Sequence, residues 1–359
     1  MSIKTHAMVA LLAASLASVP AGAADSASGA ATQAQPDGVV RVSGSREMAP
    51  VLKALAAEFA RLQPSVRIVD RLRGEASGIY GLEQRTSDLV LMGRNIHPFE
   101  RYGIYERSWT YPVGIEIATG GLAGNGAAYV AVVHRSNPLT QLTLQQLDGV
   151  FGAERSGGWD KLAWNPGAAR GGQSDVRKWE QLGVRGTLVG RRITPYGEAH
   201  IGAGAITDFQ EKVMQGGASW NEDLREFSTR DALLTALAKD PAGLAVTTAG
   251  PLPAGLKAVP LLAGPGGKSL SATRETLVDR SYPLARPVYA FVSIDDVEGD
   301  VASPRVSSAT AAFLRFVLSA AGQRIVAENG NLLPLAPAAA QKQVAILDAR
   351  DWPEERPRP

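Results

Sequence analysis

The chain offers few residues for covalent or metal chemistry. It has no cysteine, which excludes a disulfide, a thiolate zinc site and a cysteine nucleophile. Its four histidines, His6, His97, His134 and His200, lack the paired spacing of a metal site. There is no G-x-S-x-G elbow and no readable Ser/His/Asp constellation, so nothing points to a hydrolase, and no cofactor or metal is implied. The residues left to do chemistry carry charges or hydroxyls and sit at turns. Ser45, Arg46 and Glu47 follow Gly44, Glu75 and Ser77 lie in the turn at 74–78, and Arg94 follows an apolar run. Arg46, Glu47, Glu75 and Arg94 supply either an internal ion-pair set or a polar binding site, because buried charge needs partners and two of each sign are present. Ser45 and Ser77 read as helix N-caps or as ligand contacts. His200 reads as a surface or capping residue, and Tyr196 as a packed aromatic or a stacking platform. Arg191 and Arg192 read as solvated, and Trp159, Trp164 and Trp179 as packing in an irregular region. Asp208 falls one turn into a helix, where a carboxylate favours the dipole.

The elements that position these residues alternate between strand and helix. Short apolar strands are expected at 39–43, 66–69, 89–92, 129–134, 243–247 and 288–293. The first runs into a helix whose apolar face is Val51, Leu52, Leu55, Phe59 and Leu62, with Pro50 in its first turn. Further helices are expected at 79–84, 142–151 (Thr143 as N-cap), 206–214, 229–239 and 309–327. Residues 152–192 are rich in Gly, Trp and Arg and show little period, and 350–359 are charged, proline-rich and expected to fray. No internal repeat is visible. The alternation predicts an α/β fold with covered sheets.

Length and composition fit this reading. The 359 residues are 45% hydrophobic and 20% charged, enough apolar content for about two domains of ~150 residues each. A net charge of +2 gives no broad electrostatic footprint for nucleic acid. At the N-terminus, Lys4 and His6 precede an apolar run at 8–19 and the small-residue stretch Ala21-Gly22-Ala23-Ala24. That is the pattern of a secretory signal peptide over 1–24, and the run is too short for a membrane span, which needs ~20 residues. Residues 25–37 read as a flexible leader.

Five segments then occur in an order shared with a known family. The first is Val42-Ser43-Gly44-Ser45, followed by Pro50 and Phe59. The second is Gly78-Ile79 with Leu82 and the run from Ser87-Asp88 to Gly93-Arg94. The third is the stretch at 131–143 with Leu147 and Phe151, and Trp159 later. The fourth runs from Gly202-Ala203-Gly204-Ala205-Ile206 to Phe209. The fifth is the stretch at 282–289 with Phe313-Leu314, Gly322-Gln323 and 331–335. Together they resemble the phosphate-type periplasmic solute-binding proteins of ABC transporters, from about Val39 to Leu335. The resemblance implies a two-lobed α/β fold of the periplasmic-binding-protein type, with a central cleft and two hinge strands. Lobe 1 would span 38–130 plus 249–335, lobe 2 131–248, and a C-terminal tail 336–359. The runs at 129–134 and 243–247 are expected to be the crossing strands. Ligand-gated closure of such lobes signals to a membrane permease.

Anions are held at helix N-termini, where free N–H groups and the positive end of the dipole converge. The family takes N–H groups and hydroxyls from three such turns. The resemblance carries that site onto Ser45, Arg46, Glu75, Ser77, Gly78, Arg94, Gly202 and Gly204. Several positions depart from the pattern: Arg46-Glu47 replace small hydroxyl residues, Glu75 stands where a serine is expected, and Gly93 replaces a polar residue. Ala203, Ala205 and Ile206 stand for Ser, Thr and Arg, and the arginine expected before them falls on Ala199. A carboxylate within ~4 Å of a phosphate dianion repels it by several kcal/mol at an effective dielectric near ~20.

The expectation is therefore an exported, periplasmic, non-catalytic solute-binding protein. It resembles the phosphate-binding component of an ABC importer and binds phosphate, another small oxyanion or a zwitterion that uses both Glu75 and an arginine. The alternative is a sensor or protein-interaction module on the same fold with a degenerate ligand site. An ABC permease, contacted peripherally at the membrane, is the expected partner; the chain is expected to be a monomer that binds no nucleic acid. Export should remove about two dozen residues. Mass analysis of periplasmic material should find an N-terminus at Ala24 or Asp25, and a retained Met1 would refute the processing.

Overall fold

The computed structural model describes residues 38–349, apart from 109–110, 125, 161–162, 199–203, 265, 293–305 and 330. The expected signal peptide, the leader, Gly202 and residues 350–359 lie outside the described residues. The chain begins with β1 (Val39–Gly44), α1 (Ala49–Leu62), β2 (Arg67–Arg71), α2 (Glu75–Glu83), β3 (Leu89–Met92), α3 (Pro98–Ser108) and β4 (Val113–Gly120). It continues through β5 (Tyr129–His134), α4 (Leu144–Phe151), the small hairpin β6 (Gly158–Asp160) and β7 (Ala163–Asn165), β8 (Thr194–Glu198), α5 (Gly204–Lys212) and β9 (Arg225–Phe227). Next come α6 (Arg230–Leu237), β10 (Gly243–Thr248), β11 (Leu256–Val259), β12 (Leu261–Leu262), β13 (Ser269–Leu270) and α7 (Arg274–Val278). The last elements are β14 (Pro287–Val292), α8 (Ser308–Leu318), α9 (Ala320–Glu328), β15 (Leu332–Leu333) and α10 (Pro337–Asp348).

Two mixed sheets result. The first has the order β15-β4-β14-β3-β1-β2, with β1 parallel to β2 and β3, and β14 antiparallel to β3 and β4. Its central strands β3 and β14 are buried on both faces, which explains their unbroken apolar runs. Leu89 and Leu91 point to a core shared with α1, α8 and α9, whereas Val90 and Met92 point to a separate cluster with Ile79, Leu82 and Ile104 of α2 and α3. The second sheet has the order β11-β5-β10-β8-β9. The runs expected to cross between lobes, β5 and β10, lie side by side in it, antiparallel from Tyr129↔Thr248 to Val133↔Leu244. The chain enters it just before β5, where the Ala128 N–H donates to Gly121 O (3.0 Å) and the Ala249 N–H to Ala128 O (2.7 Å). β11 pairs with β5, so this sheet draws strands from 129 through 259.

Some elements differ from their sequence expectation. The helix predicted at 309–327 is two helices that meet at Ser319, which is extended (φ −71°, ψ 163°) and breaks the ladder. Its hydroxyl donates to Phe316 O (2.6 Å) and accepts from the Gly322 N–H (3.2 Å), capping both helices, and Gly322 leaves room for the Phe316 carbonyl. α2 starts four residues earlier than expected, which makes Glu75 its first residue. Thr143 caps α4 in a reciprocal capping box with Gln146, as its position predicts.

α2 lies against β1 and β3 at unusually close range. A Cβ on Gly78 would sit 2.6 Å from Val90 Cγ1 and 2.9 Å from Gly44 Cα. Gly78→Ala should therefore overpack this contact and cost about 1–3 kcal/mol in chemical denaturation. An unchanged midpoint would show that α2 is not seated this tightly.

Candidate functional site

The site is assembled at the ends of β1 and β3. β1 finishes at Gly44, whose φ of 123° and close approach to the Leu91 carbonyl admit only glycine. The Ser45 N–H then donates to Leu91 O (2.9 Å), and a short 3-10 turn, Arg46–Met48, leads into α1. Ser45 is buried and its side chain makes no capping bond, while Arg46 is exposed. The Gly74 N–H donates to Gly44 O (2.8 Å), and its φ of 125° turns the chain into α2. Ser77 is exposed and donates its hydroxyl back to Gly74 O (2.8 Å); it is neither an N-cap nor part of the charged cluster. Gly78 is a packing glycine beneath the helix.

Glu75, the first residue of α2, reaches over the end of β3. Its Oε1 accepts from the Gly93 N–H (2.8 Å) and its Oε2 from Arg94 Nε (3.0 Å). Arg94, only 4% exposed, also donates to both oxygens of Glu100 (2.6 and 2.8 Å) and to Asn95 O (3.0 Å). Four of its five N–H donors are thus used by the protein. Burial alone would raise the Glu100 carboxyl; the Arg94 hydrogen bonds and charge outweigh it and hold that carboxyl below the usual range. His97 is pushed below the ordinary histidine range, first by burial, with Glu100 opposing and Arg94 assisting. Of the four charges read from sequence, Glu75 and Arg94 meet; Arg46 takes no part in this set.

Across from this cluster lies α5, which begins at Gly204. Asp208, 2% exposed, pairs with Lys212 Nζ (3.0 Å), and that ammonium also donates to Ala285 O. The two halves are bridged by Asn95 Nδ2 donating to Glu211 Oε1 (3.4 Å) and by Phe99 edge-on to Trp159 (5.6 Å between centroids). Arg286 is buried over the Tyr129 ring (4.9 Å) and donates to Ala127 O (3.1 Å) and Gly93 O (2.9 Å). At the carboxyl ends of β8 and β10 a cavity opens against Tyr129, Phe209, Trp220 and the carboxylates Glu198 and Glu226. Among the described residues no group of three or more His, Asp or Glu is arranged to hold a metal ion.

Sequence reasoning missed Glu100, Glu211, Asn95, Arg286 and Tyr129 as site residues. Pro98 with an acid two residues on is a helix-start signal that pointed to Glu100. Tyr196 proves to be packed: it is buried, stacks on Phe227 (5.6 Å) and donates its hydroxyl to Asp240 (3.0 Å). Trp179 is fully buried with its indole N–H on Ala242 O, whereas Trp164 is half exposed beside Trp159.

The two-sheet fold is shared with known proteins. It matches the PBP superfamily domain across residues 26–321, most of its length, and belongs to that family. The phosphate-binding protein PstS of Pseudomonas aeruginosa is 25% identical over 304 residues, 85% of each chain. An ABC-type phosphate transport receptor from Vibrio cholerae has the same fold, with a TM-score of 0.54 and 16% identity, over 82% of this chain and 100% of that one. PstS from Borrelia burgdorferi also superposes with a TM-score of 0.54, at 14% identity, over 84% of this chain and 100% of that one. No helix among the described residues is long and apolar enough to cross a membrane.

Glu211 gives the site a pH dependence. Burial, then repulsion from Asp208, push its carboxyl up to about 7 from an ordinary 4.5, against Lys212 and the Asn95 hydrogen bond. The folded state therefore holds a proton that the unfolded chain releases, so stability falls as pH rises from ~4.5 to ~7. Glu211→Gln should match the parent near pH 4.5 and exceed it by about 1–3 kcal/mol at pH 8. Parallel stability profiles across that window would refute the assignment.

Proposed function

We propose that this chain is the exported solute-binding component of an ABC importer and that it carries out no catalysis. One lobe is built on the first sheet, and a second lobe, extended to include β11, is built on the second. A small solute is held between them, and the closed form docks on a permease. Membership of the PBP superfamily and the 25% identity to PstS of Pseudomonas aeruginosa support this reading. The site residues in this proposal are Ser45, Glu75, Gly78, Arg94, Gly202 and Gly204, with the exposed Arg46 and Ser77 at the periphery.

The observation that carries the ligand reading is the Glu75 carboxylate seated on the Gly93 N–H and Arg94. It takes the donors an inorganic oxyanion needs and adds a negative charge beside them. The same observation favours the second reading, a sensor or interaction module with a degenerate site. Both agree that phosphate binds weakly. Loss of two charged-group hydrogen bonds, at ~1.5–3 kcal/mol each, lowers affinity by at least ~3 kcal/mol, over a hundredfold, relative to a family member with intact hydroxyl turns. Isothermal titration at neutral pH tests this; submicromolar phosphate binding would overturn it. Glu75→Ser combined with Ala203→Ser and Ala205→Thr should recover part of the phosphate affinity.

A further inference from the structure

The cavity at the ends of β8 and β10 has a chemistry opposite to that of an anion site. Its inner wall is aromatic: Phe209 stacks on Trp220 (5.5 Å, 19° between planes) and meets Phe151 edge-on (5.9 Å). Its polar groups include the carboxylates of Glu198 and Glu226. Glu198 is anchored by the Thr247 hydroxyl and the Thr248 N–H (3.2 Å), so its charge has a fixed place, whereas Glu226 is exposed at the rim. Among the described residues, no lysine or arginine lines this space. Lys212 pairs with Asp208, and Arg286 donates to two carbonyls and lies over the Tyr129 ring.

A second observation points to a ligand. Tyr129 lines the cavity and is only 4% exposed, yet its hydroxyl has no hydrogen-bond partner. An unsatisfied buried hydroxyl costs ~1–3 kcal/mol, a penalty that a bound polar group removes. Burial holds this hydroxyl protonated well above the ordinary tyrosine range, so its lone pairs are available to an N–H donor.

We propose that this cavity binds the ammonium group of an organic amine. Its cation rests against the Phe209–Trp220 wall, is neutralised by Glu226 and Glu198, and donates a hydrogen bond to the Tyr129 hydroxyl. The inference rests on the solute-binding reading and names the substrate class of that same cleft: an amine-bearing solute in place of a free inorganic oxyanion. Two carboxylates lining the wall exclude a dianion and, at the opposite end, Glu75 fills the anion donors with the protein's own carboxylate. The two features act in the same direction.

The test uses three probes with the same aromatic body and different charge: 2-phenylethylammonium, 2-phenylethanol and 3-phenylpropionate. Each is titrated into the full mature chain at pH 7.5, with tryptophan fluorescence and thermal shift as readouts. The ammonium probe should saturate and bind at least tenfold tighter than the alcohol or the carboxylate. Glu226→Gln, an exposed change, should weaken it at least fivefold, and Trp220→Phe should abolish the fluorescence change while the thermal shift persists. Tyr129→Phe should weaken binding without altering the alcohol's weaker response. Equal binding of the alcohol, preference for the carboxylate, or no response to the ammonium probe would overturn the proposal. Saturable binding of 3-phenylpropionate in preference to the ammonium probe would leave the solute-binding reading standing while removing the amine; no response to any probe, together with no phosphate heat, would remove both.

Discussion

A positive charge buried at the end of β3 organises the first half of this molecule. The Arg94 guanidinium is almost wholly removed from water, a transfer that costs several kcal/mol unless carboxylates accompany it. Glu75 comes from the start of α2 and Glu100 from the first turn of α3, so both helices are tied to one cation. That arrangement requires α2 to approach β1 within the reach of a short side chain, and Gly44 and Gly78 permit it. Charge-assisted hydrogen bonds of ~1.5–3 kcal/mol each roughly offset the desolvation. The net effect is orientation: the first turn of α2 points its carboxylate at Gly93.

Gly93 then passes the constraint across the molecule. Its N–H is taken by Glu75 and its carbonyl by Arg286, whose guanidinium lies over the Tyr129 ring at the beginning of β5. A residue with no side chain thus links the ion-pair set of the first sheet to the entrance of the second. Lys212 makes a similar link from α5 to Ala285, close in sequence to Arg286. Arg94, Lys212 and Arg286 are each held by acceptors of the protein itself.

The sequence made the strands legible, because β3, β5, β10 and β14 are largely apolar runs and β1 alternates. It hid β4, where Glu116 and glycines interrupt the pattern, and α3, where Ile104 is the buried apolar anchor while Phe99 and Tyr102 are exposed. The hydrophobic period runs through Ser319 without a gap, so only the capping bonds reveal that α8 and α9 are separate. At the site, sign counting found that Glu75 and Arg94 had partners to satisfy, but Glu100 lay on the unread helix. The direction of the Ser77 hydroxyl was out of reach for a different reason: it is set by a bond to Gly74 O within its own turn. Tyr129 looked like ordinary strand core, since sequence does not say whether a buried hydroxyl finds an acceptor.

Among the described residues, the outer strands of the two larger sheets bear on how two copies of the chain could meet. β15 is two residues long and β9 three, too short to template another strand. β2 carries Arg67, Asp70 and Arg71, β9 carries Arg225 and Glu226, and β11 carries Lys257. A second copy that added itself edge-to-edge would have to strip water from these charges before gaining a ladder of main-chain bonds. Chemistry placed at these borders opposes edge-to-edge pairing of the sheets.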